Sequence, residues 1–238
     1  MVKQIVILHG WQQKLDRWQE FINGLSQKYR VYLPYMPGFG NNKLFKPFTL
    51  NDYLLWLQDY LKKHKIDNPI IIGYSFGGRV ALRFASFRNK IYKLILIDSA
   101  GIKPKNTWHL RFWKMIAGLG KLIFNLPLLN LLKKPATWFL YQIIQEKDYY
   151  QASPLLKKTM TRILTEDLRS DLKNINVPTL ILWGKQDKST PIQDAYYMKN
   201  NIAQAKLKIF SQANHALPFI LTKSVIQEIC NFIDNDTT

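Results

Sequence analysis

The sequence predicts an α/β fold: a mostly parallel sheet of about six strands flanked by helices, with an inserted helical cap. Three observations carry this expectation. Short aliphatic runs without polar alternation recur along the chain, as in strands buried on both faces. Amphipathic helical patterns separate the first four runs, which implies right-handed crossovers and hence parallel strands. Between residues 102 and 170 that rhythm stops, and helical patterns rich in Trp, Phe and Leu take its place. With 238 residues, 47% of them hydrophobic, the chain is long enough for one large core with an insertion. The expected division is a core of 1–101 and 171–238, and a cap of 102–170.

The first strand is read at residues 4–8 (Gln-Ile-Val-Ile-Leu), closing on His9-Gly10-Trp11. From Asp16 to Lys28 a helix follows, with Trp18, Phe21, Ile22 and Leu25 on one face. Arg30-Val-Tyr-Leu is the second strand and leads into the turn-rich loop Pro34-Tyr-Met-Pro-Gly-Phe-Gly. Thr49 is placed to cap a helix running to about His64, which sits in a Lys-Lys-His-Lys run and reads as a solvated cation at a helix C-terminus. Ile70 to Ile72 form the third strand, bounded by Pro69 and Gly73, and a helix carrying Val80, Phe84 and Phe87 follows. Leu94-Ile-Leu-Ile is the fourth strand and ends at Asp98. After the break, Val177-Pro-Thr-Leu-Ile-Leu-Trp-Gly restarts the sheet, a helix begins near Pro191 as its first residue, and Lys206-Leu-Lys-Ile-Phe is the last strand. A closing helix spans about Thr222 to Ile233.

The totals exclude several classes. One cysteine, Cys230, cannot build a disulfide framework and fits a reducing compartment. The N-terminus runs straight into a strand and carries no secretory pattern, so a cytoplasmic location is expected. The net charge of +18 is spread along the chain with no block of five cations and no nucleic-acid module, so no nucleic-acid partner is expected. Residues 102–173 hold 13 Lys/Arg against 5 Asp/Glu, which keeps peripheral contact with an anionic membrane as an alternative. Met115 to Leu132 is apolar but contains Lys121, Pro127, two glycines and two asparagines, which argues against a spanning helix. Oligomeric state is not legible.

The chemistry gathers at strand ends. Gly73-Tyr74-Ser75-Phe76-Gly77 matches the Gly-x-Ser-x-Gly elbow, in the strand–turn–helix context that motif requires. Glycines flank Ser75 where a side chain would clash between strand and helix. An acyl-transfer serine needs a base, an acid that fixes the base's tautomer, and donors for the oxyanion. Ser75, Asp187 and His215 follow in the Ser…Asp…His order expected downstream of such an elbow, each after a separate strand. Asp98 is the rival acid; Asp187 is favoured because it sits on a free loop, whereas Asp98 leads into the cap. The backbone N–H groups of Trp11 and Phe76 are the expected oxyanion donors. His9 reads as a packed, structural histidine.

With His9-Gly10-Trp11, Pro37-Gly38-Phe39-Gly40, the elbow with Gly78, Asp98-Ser99-Ala100, Pro178 to Asp187 and Asn214-His215, nearly the whole chain resembles the α/β-hydrolase family. The resemblance implies hydrolysis through a covalent acyl-enzyme, with no metal and no organic cofactor. The chain starts at what resembles the family's third strand, so six parallel strands are expected. Asn214 replaces the family's usual glycine and tolerates the same left-handed backbone. Serine rather than aspartate at the elbow argues against epoxide hydrolase and haloalkane dehalogenase chemistry. A carboxylic ester of a small, apolar molecule is the expected substrate. Thioester, lipid-ester or carbon–carbon bond hydrolysis, and ligand binding without turnover, are the alternatives.

Overall fold

The computed structural model describes residues 2–11, 14–87, 90–103 and 152–235. Six strands form one sheet: β1 (Gln4–Leu8), β2 (Arg30–Tyr32), β3 (Ile70–Tyr74), β4 (Lys93–Ile97), β5 (Thr179–Gly184) and β6 (Ala205–Phe210). Their order is β2-β1-β3-β4-β5-β6, and every neighbouring pair is parallel. The helices are α1 (Gln19–Ser26), α2 (Leu50–Lys63), α3 (Phe76–Ser86), α4 (Pro154–Thr165), α5 (Arg169–Leu172), α6 (Ile192–Asn201), α7 (Leu217–Ile220) and α8 (Thr222–Asp234). The expected α/β architecture, a parallel sheet of six strands flanked by helices, is what the described residues adopt.

Successive strand residues point to opposite faces, and both faces are covered, so the strands read as unbroken aliphatic runs. Ile5, Ile7, Ile70, Ile72, Ile95, Ile97, Leu180 and Leu182 pack against Phe21 and Leu25 of α1 and Val225 and Ile229 of α8. The intervening Val6, Leu8, Ile71, Leu94, Leu96, Ile181 and Trp183 meet Leu57 of α2, Val80 and Phe84 of α3 and Met198 of α6. Each such aliphatic side chain contributes about 1.5–3 kcal/mol on burial, set against the entropy of ordering the chain. The α2 start follows from its cap. The Thr49 hydroxyl accepts from Asp52 N–H at 3.2 Å, and the Asp52 carboxylate accepts from Thr49 N–H at 2.8 Å, a reciprocal box worth about 1 kcal/mol.

Several details depart from expectation. The helix expected from Asp16 opens as a 3₁₀ turn over Leu15–Trp18, which seats the Trp18 ring 5.4 Å from Phe21, 5.7 Å from Tyr74 and 5.0 Å from Phe219. β3 runs two residues further, because Gly73 and Tyr74 still pair with Leu96 and Ile97 of β4. Pro191 is the N-cap of α6, with extended backbone, and not its first helical residue. The left-handed backbone expected at Asn214 is not found; among the described residues the non-glycine positions with positive φ are Lys65, Asn68, Ser75 and Asp98. Asn214 instead turns the chain by accepting the Ala216 N–H at 2.9 Å.

Most of the expected cap, residues 104–151, lies outside the described residues, and so does the Met115–Leu132 stretch. The returning segment is anchored to the core. Phe48 N–H donates to Thr159 Oγ1 at 2.9 Å, and Arg79 of α3 donates to the carbonyls of Ile163 and Glu166 at 2.8 and 2.7 Å. Among the described residues no helix is long and apolar enough to cross a membrane.

Candidate active site

β3 passes into α3 with a single residue between them, Ser75, held at φ 52° and ψ −115°. A non-glycine residue in that region costs about 1–3 kcal/mol and persists only where its surroundings over-determine it. Here they do. Ser75 N–H donates to Ile97 O at 3.1 Å, and Ser75 O accepts from Gly78 N–H at 3.0 Å and Ala100 N–H at 2.9 Å. The flanking glycines are needed for contact. A Cβ on Gly77 would lie 2.0 Å from Leu8 O, and one on Gly73 would lie 2.6 Å from Gly78 Cα. The end of β1 and the start of α3 are therefore packed backbone to backbone beneath Ser75.

The parallel sheet delivers the other candidates to the same edge, the C-terminal ends of the strands. His215 Nε2 lies 2.9 Å from Ser75 Oγ, and His215 Nδ1 lies 2.7 Å from Asp187 Oδ2. Since the carboxylate can only accept, Nδ1 carries the proton and Nε2 presents a lone pair to the serine hydroxyl. Asp187 is held rigidly: Oδ1 accepts from Ser189 N–H at 2.7 Å and Thr190 N–H at 3.0 Å, and Oδ2 also accepts from Thr190 Oγ1 at 2.6 Å. Burial pushes the Asp187 carboxyl up, but hydrogen bonds from His215 and Thr190 outweigh it and hold the group below its ordinary range. The two loops are tied by Gln186 N–H donating to Ala213 O at 2.9 Å.

Of the two acids weighed, Asp187 is the one bonded to His215. Asp98 lies close by, fully buried, with Oδ1 accepting from Gly184 N–H at 2.8 Å and Oδ2, among the described residues, without a partner at hydrogen-bond geometry. Ligand atoms of Asp98, Asp187 and His215 lie within 4.8 Å of one another, the one such set among the described residues. The Nδ1–Oδ2 hydrogen bond already engages two of the atoms a cation would need there.

His9 is fully buried and accounts for itself structurally. Met36 N–H donates to its Nε2 at 3.2 Å and its Nδ1 meets Gly10 O at 2.7 Å, so the ring is neutral with the proton on Nδ1. Burial pulls its pKa down to about 4, against the partial opposition of the Gly10 carbonyl. Trp11 and Phe76, the expected oxyanion donors, are neighbours, their rings 5.3 Å apart and nearly perpendicular. Phe76 is the first residue of α3, so its N–H lies outside the helical ladder, at the positive end of the dipole. The Trp11 indole N–H is buried and, among the described residues, has no acceptor.

Two further residues position this site and were not singled out from the sequence. The Tyr74 hydroxyl donates to His215 O at 2.5 Å, and Thr190 braces Asp187. Tyr74 is the variable residue of the elbow motif, and Thr190 sits in an ordinary Ser-Thr-Pro turn, so neither carried a signal beyond proximity to a candidate. A cleft of about 1010 Å³ opens at the other end of the strands, lined by Lys3, Arg30, Asn68 and Tyr92, away from Ser75.

A serine hydroxyl bonded to a neutral imidazole, itself bonded to an ionised carboxylate, can lose its proton as the oxygen attacks a carbonyl. A family model for the α/β hydrolase fold matches residues 3–220. A pimeloyl-[acyl-carrier protein] methyl ester esterase of Nitrosomonas europaea is 24% identical over 233 residues, covering 91% of this chain and 89% of the relative. The AB hydrolase superfamily protein YisY of Bacillus subtilis is 26% identical over 237 residues, covering 90% of this chain and 85% of its own length. Among solved structures, a bromoperoxidase from Bacillus anthracis superposes with a TM-score of 0.76 at 20% identity, over 99% of this chain and 93% of the other, which is a likeness of fold. Family model, fold and motif order agree, and the chain belongs to the α/β-hydrolase family.

Proposed function

We propose that this protein is a serine hydrolase that cleaves a carboxylic ester of an apolar acyl group through an acyl-enzyme. The observation that carries the reading is the unbroken relay from Ser75 Oγ to His215 Nε2 at 2.9 Å and from His215 Nδ1 to Asp187 Oδ2 at 2.7 Å. Ser75 is the nucleophile, His215 the general base and then the general acid, and Asp187 the acid that fixes the ring and stabilises its protonated form. As Ser75 Oγ bonds to the ester carbon, its proton moves to His215 Nε2. The carbonyl oxygen becomes an oxyanion facing the backbone N–H groups of Phe76 and Trp11, each such donor being worth about 3–4 kcal/mol in other hydrolases. Collapse expels the alcohol, which takes the proton from Nε2. Water then attacks the acyl carbon as His215 Nε2 takes its proton, and collapse breaks the bond to Ser75 Oγ, which regains the proton from Nε2 as the acid leaves.

The finer reading is a methyl ester at the end of an acyl chain borne by a carrier protein. It is supported by relatives named as esterases of that substrate. The face of α4 that carries Lys158 and Arg162 at its exposed surface suits a negatively charged carrier. Turnover of a panel of p-nitrophenyl esters and of carrier-linked methyl esters, by the protein and by Ser75→Ala, tests both levels. Loss of at least about 10³-fold in kcat/KM on Ser75→Ala is expected. Ester turnover that survives that substitution overturns the serine-hydrolase reading. Turnover of free esters alone overturns the carrier-linked reading.

A further inference from the structure

Asp98 combines three features that each cost free energy. Its backbone is left-handed at φ 43°, its carboxyl is fully buried, and its Oδ2 has no partner at hydrogen-bond geometry among the described residues, the Leu217 N–H being near enough only to ease the charge. A glycine would hold that backbone without strain. What the carboxyl gains is placement. β4 and β5 pair with Ile97 opposite Leu182, so Asp98 leaves β4 alongside the strand whose end leads to Asp187. Oδ1 is pinned by Gly184 N–H, and ligand atoms of Asp98, Asp187 and His215 lie within 4.8 Å of one another. Thr190 Oγ1 joins the three, 2.6 Å from Asp187 Oδ2, 3.2 Å from Asp98 O and 3.4 Å from His215 Nδ1.

We propose that Asp98 is a second positioning acid for His215, whose buried carboxylate supports the protonated ring alongside Asp187 and takes over that support when Asp187 is lost. The proposal rests on the reading of Ser75, His215 and Asp187 as a catalytic relay. The charge balance is consistent with it. Burial, and then the neighbouring Asp187 charge, raise the Asp98 carboxyl to about 7, so removing the Asp187 charge makes Asp98 ionise more readily. The reserve acid thus becomes charged under the conditions in which a charge is missing. A purely structural Asp98 would do no more than accept the Gly184 N–H, a task that asparagine also performs.

A double-mutant cycle separates the two roles. Steady-state kcat and KM for an activated ester, and thermal midpoints, are measured for the full chain, Asp98→Asn, Asp187→Asn and the double variant. Asp98→Gly, which suits the left-handed backbone, is a second probe should Asp98→Asn fold poorly. We expect Asp187→Asn to lose about 10²–10³-fold in kcat, short of the ~10⁴-fold seen when a relay's only acid is removed. Asp98→Asn or Asp98→Gly should then cost at least ten times more in kcat on the Asp187→Asn background than on the wild type, with KM unchanged and every variant folded at the assay temperature by its thermal midpoint. Equal kcat factors on the two backgrounds overturn the proposal, as does Asp187→Asn falling directly to the level of Ser75→Ala. Wild-type turnover by Ser75→Ala signals instead that the relay reading itself is wrong.

Discussion

The Tyr74 hydroxyl donates to the backbone carbonyl of His215 at 2.5 Å, and their rings lie 5.4 Å apart. The residue before the proposed nucleophile thus holds the loop that carries the proposed base. Tyr74 is rooted in the sheet core beside Ile72 and Ile97, so the loop inherits the rigidity of β3. Tyr74→Phe keeps the ring and removes the hydrogen bond, worth about 0.5–1.5 kcal/mol. The expected outcome is a thermal midpoint lower by roughly 2–5 °C and a several-fold fall in kcat at unchanged KM. Equal kcat in the two proteins would detach the loop's position from this bond.

Gly77 has no room for a methyl group: its Cβ would lie 2.0 Å from Leu8 O and 2.4 Å from Leu8 C, both main-chain atoms that cannot rotate away. Gly77→Ala should cost about 3 kcal/mol or more, as the end of β1 is forced off α3. Circular-dichroism melts should register a drop of roughly 6 °C or more, with ester turnover falling in parallel because Ser75 and Trp11 are carried on the displaced segments. An unchanged melt would disprove the close approach.

How much of this was open to reading from the chain alone varied with the kind of interaction. Strands buried on both faces must be aliphatic throughout, so Ile70 to Ile72 and Leu94 to Ile97 announce themselves, and the glycines around Ser75 mark where backbones meet. The choice between Asp98 and Asp187 was narrower, since both follow adjacent strands. Only the loop path that turns Asp187 toward His215 separates them. Asn214 was misread because its side chain supplies a turn by hydrogen bonding where the family's glycine would use backbone freedom. Arg79 gave no warning either. An arginine on a helix reads as solvated, whereas this one is 4% exposed and bonds the carbonyls that end α4.

His9 makes acid stability testable. Its folded pKa of about 4 lies below the ordinary 6.5, so the unfolded chain binds a proton that the folded one refuses between those values. Stability from this residue is present above pH 6.5 and is lost as pH falls toward 4, by about 3 kcal/mol in all. His9→Gln should flatten this limb of a plot of urea midpoint against pH. An equally steep limb in the variant would assign the loss to other groups.

Asp98 works in the opposite sense. Its carboxyl titrates near 7 when folded against 3.8 ordinarily, so the folded state keeps a proton that the unfolded chain has released, and stability falls as pH rises between the two. Asp98→Asn removes this penalty while retaining the Gly184 contact. The variant should be more stable than the wild type at pH 8 and gain little at pH 4, read from the same denaturant midpoints. A gain that does not grow with pH would contradict the raised carboxyl.

The two margins of the sheet also bear on how this chain behaves in a crowded solution. One ends in β2, only three residues long, with Arg30 at its start. The other ends in β6, where Lys206 and Lys208 are exposed along a rim that pairs with no further strand among the described residues, and Lys208 reaches Glu228 at 3.1 Å. A short strand offers few free main-chain groups to a foreign strand, and lysines on an open rim repel another copy presenting the same rim. A sheet this aliphatic would template its own aggregation if its borders were long and neutral; here each border is truncated or charged, which guards the folded protein against strand-to-strand stacking.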